Sequence, residues 1–196
     1  MKSFLSTTKP AVLLTLVFTV LLGGVYPLVV WAGAQAFFSR QANGSLISDP
    51  DSTVRGSALL AQHFASETHF HPRPSAAGTG YDASSSSGTN LGPTSRKLAD
   101  SIQSRVTAYR AVNGLAADTA VPADAVTSSA SGLDPHISPA NANLQAARVA
   151  LARGLPIAQV RDLIGQHTDG RSLGVLGDAG VNVLALNRAL DASSRQ

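Results

Sequence analysis

Three histidines, His63, His69 and His71, are the first side chains in this sequence whose types and spacing could do chemistry. A His-x-His pair binds a metal when both rings converge on one ion. Here His63 shares an expected helix face with Leu59 and Leu60, and the other two come just ahead of Pro72 in a loop. Packed or solvated imidazoles account for that context, and no metal is expected. The run Ser84-Ser85-Ser86-Ser87-Gly88 offers hydroxyls but reads as a low-complexity, mobile loop tip. A serine hydrolase needs G-x-S-x-G on a strand-to-helix turn with a base beside it, and that motif is absent. Also absent are G-x-x-x-x-G-K-[ST], which cradles phosphates, and D-K-T-G, the phosphorylated-aspartate motif of a P-type pump. No catalytic residue is expected, and the chain by itself is no ATPase.

One constellation is more pointed. Asp134-Pro135-His136-Ile137-Ser138-Pro139 sets an acid and an imidazole between prolines, directly before a helix start. Proline fixes φ, so His136 is held in a defined direction. Asp134 can accept from backbone N–H groups or from His136, and a helix N-terminus favours an acid. The segment is either a rigid cap or a preorganised surface for a partner.

The elements that must position these groups follow from periodicity. Ser138-Pro139 opens a helix with a capping hydroxyl and proline at the first turn. Leu144, Ala147, Val149, Ala150 and Leu151 are its expected buried side, and Gly154 its stop. A second helix is expected from Pro156 to His167, with Ile157, Val160, Leu163 and Ile164 inward. After a glycine-punctuated turn from Gly170 to Gly180, Val183, Leu186 and Leu190 fit a third. Upstream, Arg96 to Asn113 carries Leu98, Ile102, Val106 and Tyr109 on one stripe, and residues 56–64 show helix spacing too. Residues 121–131 alternate weakly and are expected to hold a short strand. Between them Glu67 to Pro93 is rich in Gly, Pro and Ser, too long for an ordinary connection. The domain is expected to be α+β, mostly helical, with a minor strand component.

Ahead of it, 30 residues from Pro10 to Ser39 carry no charge. About 20 apolar residues suffice to cross a bilayer as a helix, so this stretch is long enough to span. The expected division is a cytoplasmic N-terminus over 1–10, a transmembrane helix over 11–33, a connector over 34–51 and a globular domain over 52–196. A cleaved signal peptide is the alternative, with Ala-x-Ala sites at residues 32–36, though its apolar core would be unusually long. Lys2 and Lys9 precede the span without an acid, which biases the N-terminus inward and the domain outward. Gly23, Gly24 and Gly33 permit close packing against a partner helix; a plain lipid-facing anchor is the alternative.

From Arg40 onward, 13 basic residues face 12 acidic ones. Such a balance offers no basic face for phosphates and argues against nucleic acid. The absence of cysteine excludes disulfides, thiolate metal sites and a cysteine nucleophile.

The strings DPHISPANANLQAARVALARG, FHPRPSAAG, YDASSSSGTNLGPT, QANGSL and GVNVLALNRALD resemble the C subunit of the bacterial high-affinity potassium-transporting P-type ATPase, the Kdp system. The likeness runs in order over nearly the whole chain. It departs at Thr89, where the family's loop has serine, and at Gly177-Asp178-Ala179-Gly180, where the family commonly has G-E-P. The resemblance implies a non-catalytic, single-pass subunit of the inner membrane with an extracytoplasmic domain. Its partners would be a channel-like potassium-binding subunit, an ATP-hydrolysing P-type subunit and a small single-span peptide. The transported ion would be K+, with ATP bound mainly by the hydrolysing partner.

The family is described as a catalytic chaperone that raises ATP affinity, which makes Gln145 a candidate nucleotide contact. The matched motifs give a candidate partner surface of Phe70, Arg73, Pro74, Ser75, Asn90, Gly92, Pro93, Asp134, His136, Arg148 and Arg153. An outside domain cannot touch cytoplasmic ATP across roughly 30 Å of hydrocarbon. A cap over the potassium entrance is therefore the second expectation, and a tethered exported enzyme or binding module the third.

Overall fold

An uncharged stretch of this length must satisfy its own backbone, and in the computed structural model it does so as a helix. The structure describes residues 2–49 and 51–193; Met1, Pro50 and residues 194–196 lie outside it. α1 (Lys2–Val20), a π turn (Leu21–Val25) and α2 (Tyr26–Phe37) follow one another directly. Pro27 has no N–H to give and its ring crowds the carbonyl one turn back; the wider π turn falls at that place. Thr15 and Thr19 donate their hydroxyls to the carbonyls of Ala11 and Thr15, at 2.9 and 2.7 Å. The candidate span, Ser6–Phe37, covers 32 residues at a mean hydropathy of 2.3. Its length, roughly 48 Å at about 1.5 Å per residue, exceeds a hydrocarbon core. Around Gly23, Gly24 and Gly33, apart from the helix's own nearby backbone and the neighbouring residues, no heavy atom stands within 4 Å of where a Cβ would sit. A short α3 (Ser39–Ala42) and a hairpin of β1 (Leu46–Ser48) and β2 (Val54–Ser57) complete this first unit, which ends at Ser57.

The second unit begins at Ala58. The helix expected over residues 56–64 does not form. β2 takes its start, and the rest is irregular chain held by distant partners. The Ala61 N–H donates to the Leu133 carbonyl at 2.9 Å, and Asn182 Nδ2 donates to the Ala58 carbonyl at 3.0 Å. Those bonds replace a helix's own, and they leave Leu59 exposed and His63 off any helix face. α4 (Arg96–Val112) forms as expected, with Ser95 capping it and Asn113-Gly114 ending it. Its apolar stripe is half-buried rather than buried. Instead of a strand within 121–131 there is one helical turn, α5 (Ala123–Val126). Asp124 explains it, because its carboxylate accepts from the Ser138 N–H and hydroxyl and from Asn141 Nδ2.

β3 (His136–Ile137), β4 (Thr168–Asp169) and β5 (Gly180–Asn182) make a small antiparallel sheet in the order β3-β5-β4. α6 (Pro139–Arg153) starts at Ser138, whose hydroxyl accepts from the Asn141 N–H, and stops at Gly154 with φ 64°. Its buried face differs from the expected one. Asn141, Gln145 and Arg148 go inward with Ala142, Ala146, Val149 and Ala150, while Ala147 is exposed and Leu151 is 86 % exposed. α7 (Ile157–Gln166) buries Val160 and Ile164 as expected but leaves Ile157 outside. α8 (Val183–Ser193) buries Val183, Leu186 and Leu190, all anticipated. Phe70, wholly buried, sits in the same core as these residues, Ile137 and Val181. The unit is thus a mixture of helices and a minor sheet; helix dominates its regular structure, but long irregular segments keep it from being mostly helical.

Candidate functional site

The irregular segment from Glu67 to Ser75 has no strand to pair with, yet its backbone polar groups still need partners. Side chains from α6 and α8 supply them. Asn187 brackets Phe70, its Oδ1 accepting from the Phe70 N–H at 2.8 Å and its Nδ2 donating to the Phe70 carbonyl at 3.0 Å. Gln145 does the same for the next residue, with the His71 N–H at 2.8 Å and the His71 carbonyl at 3.1 Å. Arg148 donates through Nη1 to the Glu67 and His69 carbonyls, and Arg153 donates through Nε to that of Thr68. Five consecutive residues are latched by four side chains.

Gln145 is buried, 1 % exposed. Beyond the His71 bonds, its Oε1 accepts from Arg148 Nη2 at 2.9 Å and its Nε2 donates to Asn141 Oδ1 at 2.9 Å. Two lone pairs and two N–H groups are all a glutamine amide has, and all four are in use. Arg148 also holds Asn113 Oδ1 at 3.0 Å, and burial pulls its guanidinium below its ordinary pKa. Tyr109 donates its hydroxyl to Asn141 Oδ1 at 2.8 Å, and burial pushes its pKa up. A groove of about 330 Å³ opens beside this network, between α4 and the latched segment. Phe64, Pro72, Pro74, Tyr81 and Val112 give it apolar walls. Among the described residues Arg105 is the one Lys or Arg lining it, and its Nη1 donates to the Val126 carbonyl at 3.0 Å.

Sequence reasoning missed Asn113, Asn141 and Asn187. For Asn187 the signal was an amide standing in an apolar helical stripe, between Leu186 and Leu190; Asn113 caps the end of α4, outside any stripe.

The remaining partner-surface residues fall in two places. Arg73 donates to Asp134 at 2.9 Å, and Ser75 accepts from the Ala77 and Tyr81 N–H groups, so both join the latched segment to its surroundings. Asn90, Gly92 and Pro93 lie on the exposed approach to α4, with Asn90 at a φ of 52°. The second half of the serine run is hydrogen-bonded to the chain at Ser131, while Ser84 and Ser85 bond to nearby Asp82. The Ser87 N–H and the Ser86 hydroxyl both donate to the Ser131 carbonyl, at 3.0 and 2.9 Å. Gly132 makes this approach possible, since a Cβ there would stand 2.6 Å from the Ser87 carbonyl oxygen. The three imidazoles have separate partners: His63 lies against Tyr81, His69 stacks on Phe64, and His71 Nε2 faces the Ser66 carbonyl. Among the described residues no group of three His, Cys, Asp or Glu is placed to hold a metal.

Asp134 and His136 form the charged part of the site. Asp134 accepts from the His136 N–H at 3.0 Å and pairs with Arg73. The His136 ring lies 3.6 Å from Asp134 and 3.3 Å from Asp169. The imidazole and N–H of His136, with Arg73, bring the Asp134 carboxyl down to about 2, and the two acids raise the His136 pKa. The raised histidine contributes stability below its unfolded pKa of 6.5, and that contribution fades as pH rises through the folded value. The depressed acid contributes above its unfolded 3.8, and loses this as pH falls toward 2. The network is therefore strongest between about pH 4 and 6.5. Burial lowers the His71 pKa and works in the opposite direction, so the check is a difference: in thermal melts the stabilisation of the native chain over His136→Gln should be larger at pH 6 than at pH 9. The effect is under about 1 kcal/mol, because the imidazole is partly exposed.

A family profile described as "K+-transporting ATPase, c chain" (KdpC) matches residues 8–192. The chain is 59 % identical over 182 residues to the potassium-transporting ATPase KdpC subunit of Mycobacterium tuberculosis (strain H37Rv), covering 93 % of this chain and 96 % of that one. It is 56 % identical over 188 residues to the KdpC subunit of Caulobacter vibrioides (strain NA1000), covering 96 % and 94 %.

Proposed function

The chain belongs to the KdpC family, accessory subunits of a potassium-transporting ATPase, and from that premise we propose that it tunes ATP affinity without touching ATP. In this reading the N-terminal span sits in the inner membrane and the domain lies outside. There it assembles with a channel-like potassium-binding subunit, an ATP-hydrolysing P-type subunit and a small single-span peptide. The observation that carries the reading is the occupied amide of Gln145, whose four hydrogen-bonding positions all serve the domain itself. The adjoining groove adds a second argument. A triphosphate calls for several cationic groups, and among the described residues Arg105 is the one lysine or arginine in the groove's lining.

The effect on ATP then arises as a coupling free energy, typically worth 5- to 150-fold in affinity, from a two-state partner that this domain grips unequally. A second reading, a cap over the potassium entrance, is favoured by the long segment from Glu67 to Pro93. That segment is braced against the domain in the manner of a working surface rather than a linker. Its mark would be a change in potassium affinity at constant ATP affinity.

The test uses the absence of cysteine. Ala130, exposed on the second unit, is replaced by cysteine and intact cells with a permeabilised outer barrier receive a membrane-impermeant thiol reagent. Labelling of the full-length, membrane-retained chain is expected. Labelling only after lysis of the inner membrane would put the domain beside the nucleotide and defeat the coupling mechanism.

A further inference from the structure

Between β4 and β5 the chain turns through Arg171–Asp178, and the turn carries three large apolar side chains into solvent. Leu173 is 90 % exposed, Val175 73 % and Leu176 58 %. The other exposed large apolar residues of this unit stand apart in sequence: Leu59, Val112, Leu151 and Ile157. Single exposed leucines are ordinary, but three within four residues are not.

The turn is built rather than slack. Ser172 and Leu176 exchange both backbone hydrogen bonds at 2.9 Å, and the Val175 N–H closes on the Ser172 carbonyl at 3.2 Å. An Arg171–Asp178 ion pair at 3.3 Å spans the base. Leu173 and Gly174 both have positive φ, 54° and 77°. Glycine or asparagine takes such a position readily, whereas leucine is strained there. Backbone strain of this kind persists only where the surrounding structure fixes it, and here it accompanies a Leu173 side chain that is 90 % exposed.

We propose that the Ser172–Gly177 turn is a preformed apolar knob that seats Leu173, Val175 and Leu176 in an apolar socket on a partner subunit of the transport complex. The proposal rests on the chain's being a subunit of that complex, as the reading above does. A bilayer fits the same surface less well. Attraction to anionic headgroups needs unpaired basic residues, and the paired base of the turn has no net charge. A fluid bilayer also gains nothing from a leucine held in one direction, whereas a fitted socket gains affinity from preorganisation.

The test has two arms, both on the full chain within the membrane-embedded complex. Leu173→Asn suits the backbone conformation and removes the apolar side chain. It should leave the melting midpoint of the isolated chain equal or higher while weakening retention in the complex on the order of 10- to 100-fold, the worth of one buried leucine. Unchanged retention, or a midpoint that falls along with retention, would overturn the knob. In the second arm Leu173→Cys carries a photo-activated cross-linker. Capture of a partner subunit is expected; capture of lipid alone, or thiol reactivity as high as in the free chain, would overturn it. Neither arm reads the side of the membrane, so a cytoplasmic result at Ala130 would end the coupling mechanism and leave this proposal standing.

Discussion

Gln145→Ala should lower the stability of the second unit by about 2–4 kcal/mol and leave the ATP dependence of any complex that still assembles unchanged. Alanine withdraws partners from the His71 N–H, the His71 carbonyl, Asn141 Oδ1 and Arg148 Nη2 at once. Asn141 and Arg148 are buried, so there the cost is desolvation rather than one missing contact, while the His71 backbone groups are part-buried beside the groove. Gln145→Glu refines the test. The carboxylate can still accept from the His71 N–H and Arg148, but it faces the His71 carbonyl and Asn141 Oδ1 with no donor. Denaturant unfolding of the full chain, run beside the ATP dependence of the assembled complex, separates the two roles. A shift in ATP affinity at undiminished stability would return Gln145 to the nucleotide.

Arg148→Ala should cost more, about 3–5 kcal/mol. Its guanidinium donates to Asn113, Gln145 and two backbone carbonyls, a fan that only a planar fork with five N–H groups can make. Arg148→Lys should recover less than half of the loss, because one ammonium cannot reach all four acceptors. Since Arg148 and Gln145 share a hydrogen bond, the double variant should cost less than the two single losses added together. Melting of all three variants measures that difference, and strict additivity would mean that the two side chains act separately.

The helices were legible wherever a cap, a stripe and a stop agreed. α4 has Ser95, its stripe and Asn113-Gly114; α6 has Ser138-Pro139 and Gly154. Residues 56–64 had the stripe alone, and contacts to Leu133 and Asn182 outweighed it. α6 shows why its buried face was misassigned. Hydropathy places Leu151 inside and Arg148 outside, whereas the bonding needs of a strandless segment reverse them. The same physics hid the latch. An asparagine or glutamine on an apolar face looks like an exception until the backbone it serves is located, and that backbone is far away in sequence. Asp134 and His136 were readable as an interacting pair from two prolines and a helix start. Arg73, marked only through the resemblance, and Asp169, not marked at all, complete their charge network from other segments.

The latch also sets an order of events during synthesis. Phe70 waits for a residue 117 positions downstream, and His71 for one 74 positions downstream. The ribosome therefore delivers Glu67–Ser75 long before the side chains that organise it exist. Contacts of such long range close late, and a chain stopped before α8 would lack Asn187, leaving the Phe70 N–H and carbonyl without their partner while α6 still holds the neighbouring residues. The wholly buried Phe70 is thus the last residue of the segment to be fixed, and it is fixed by the last helix of the domain.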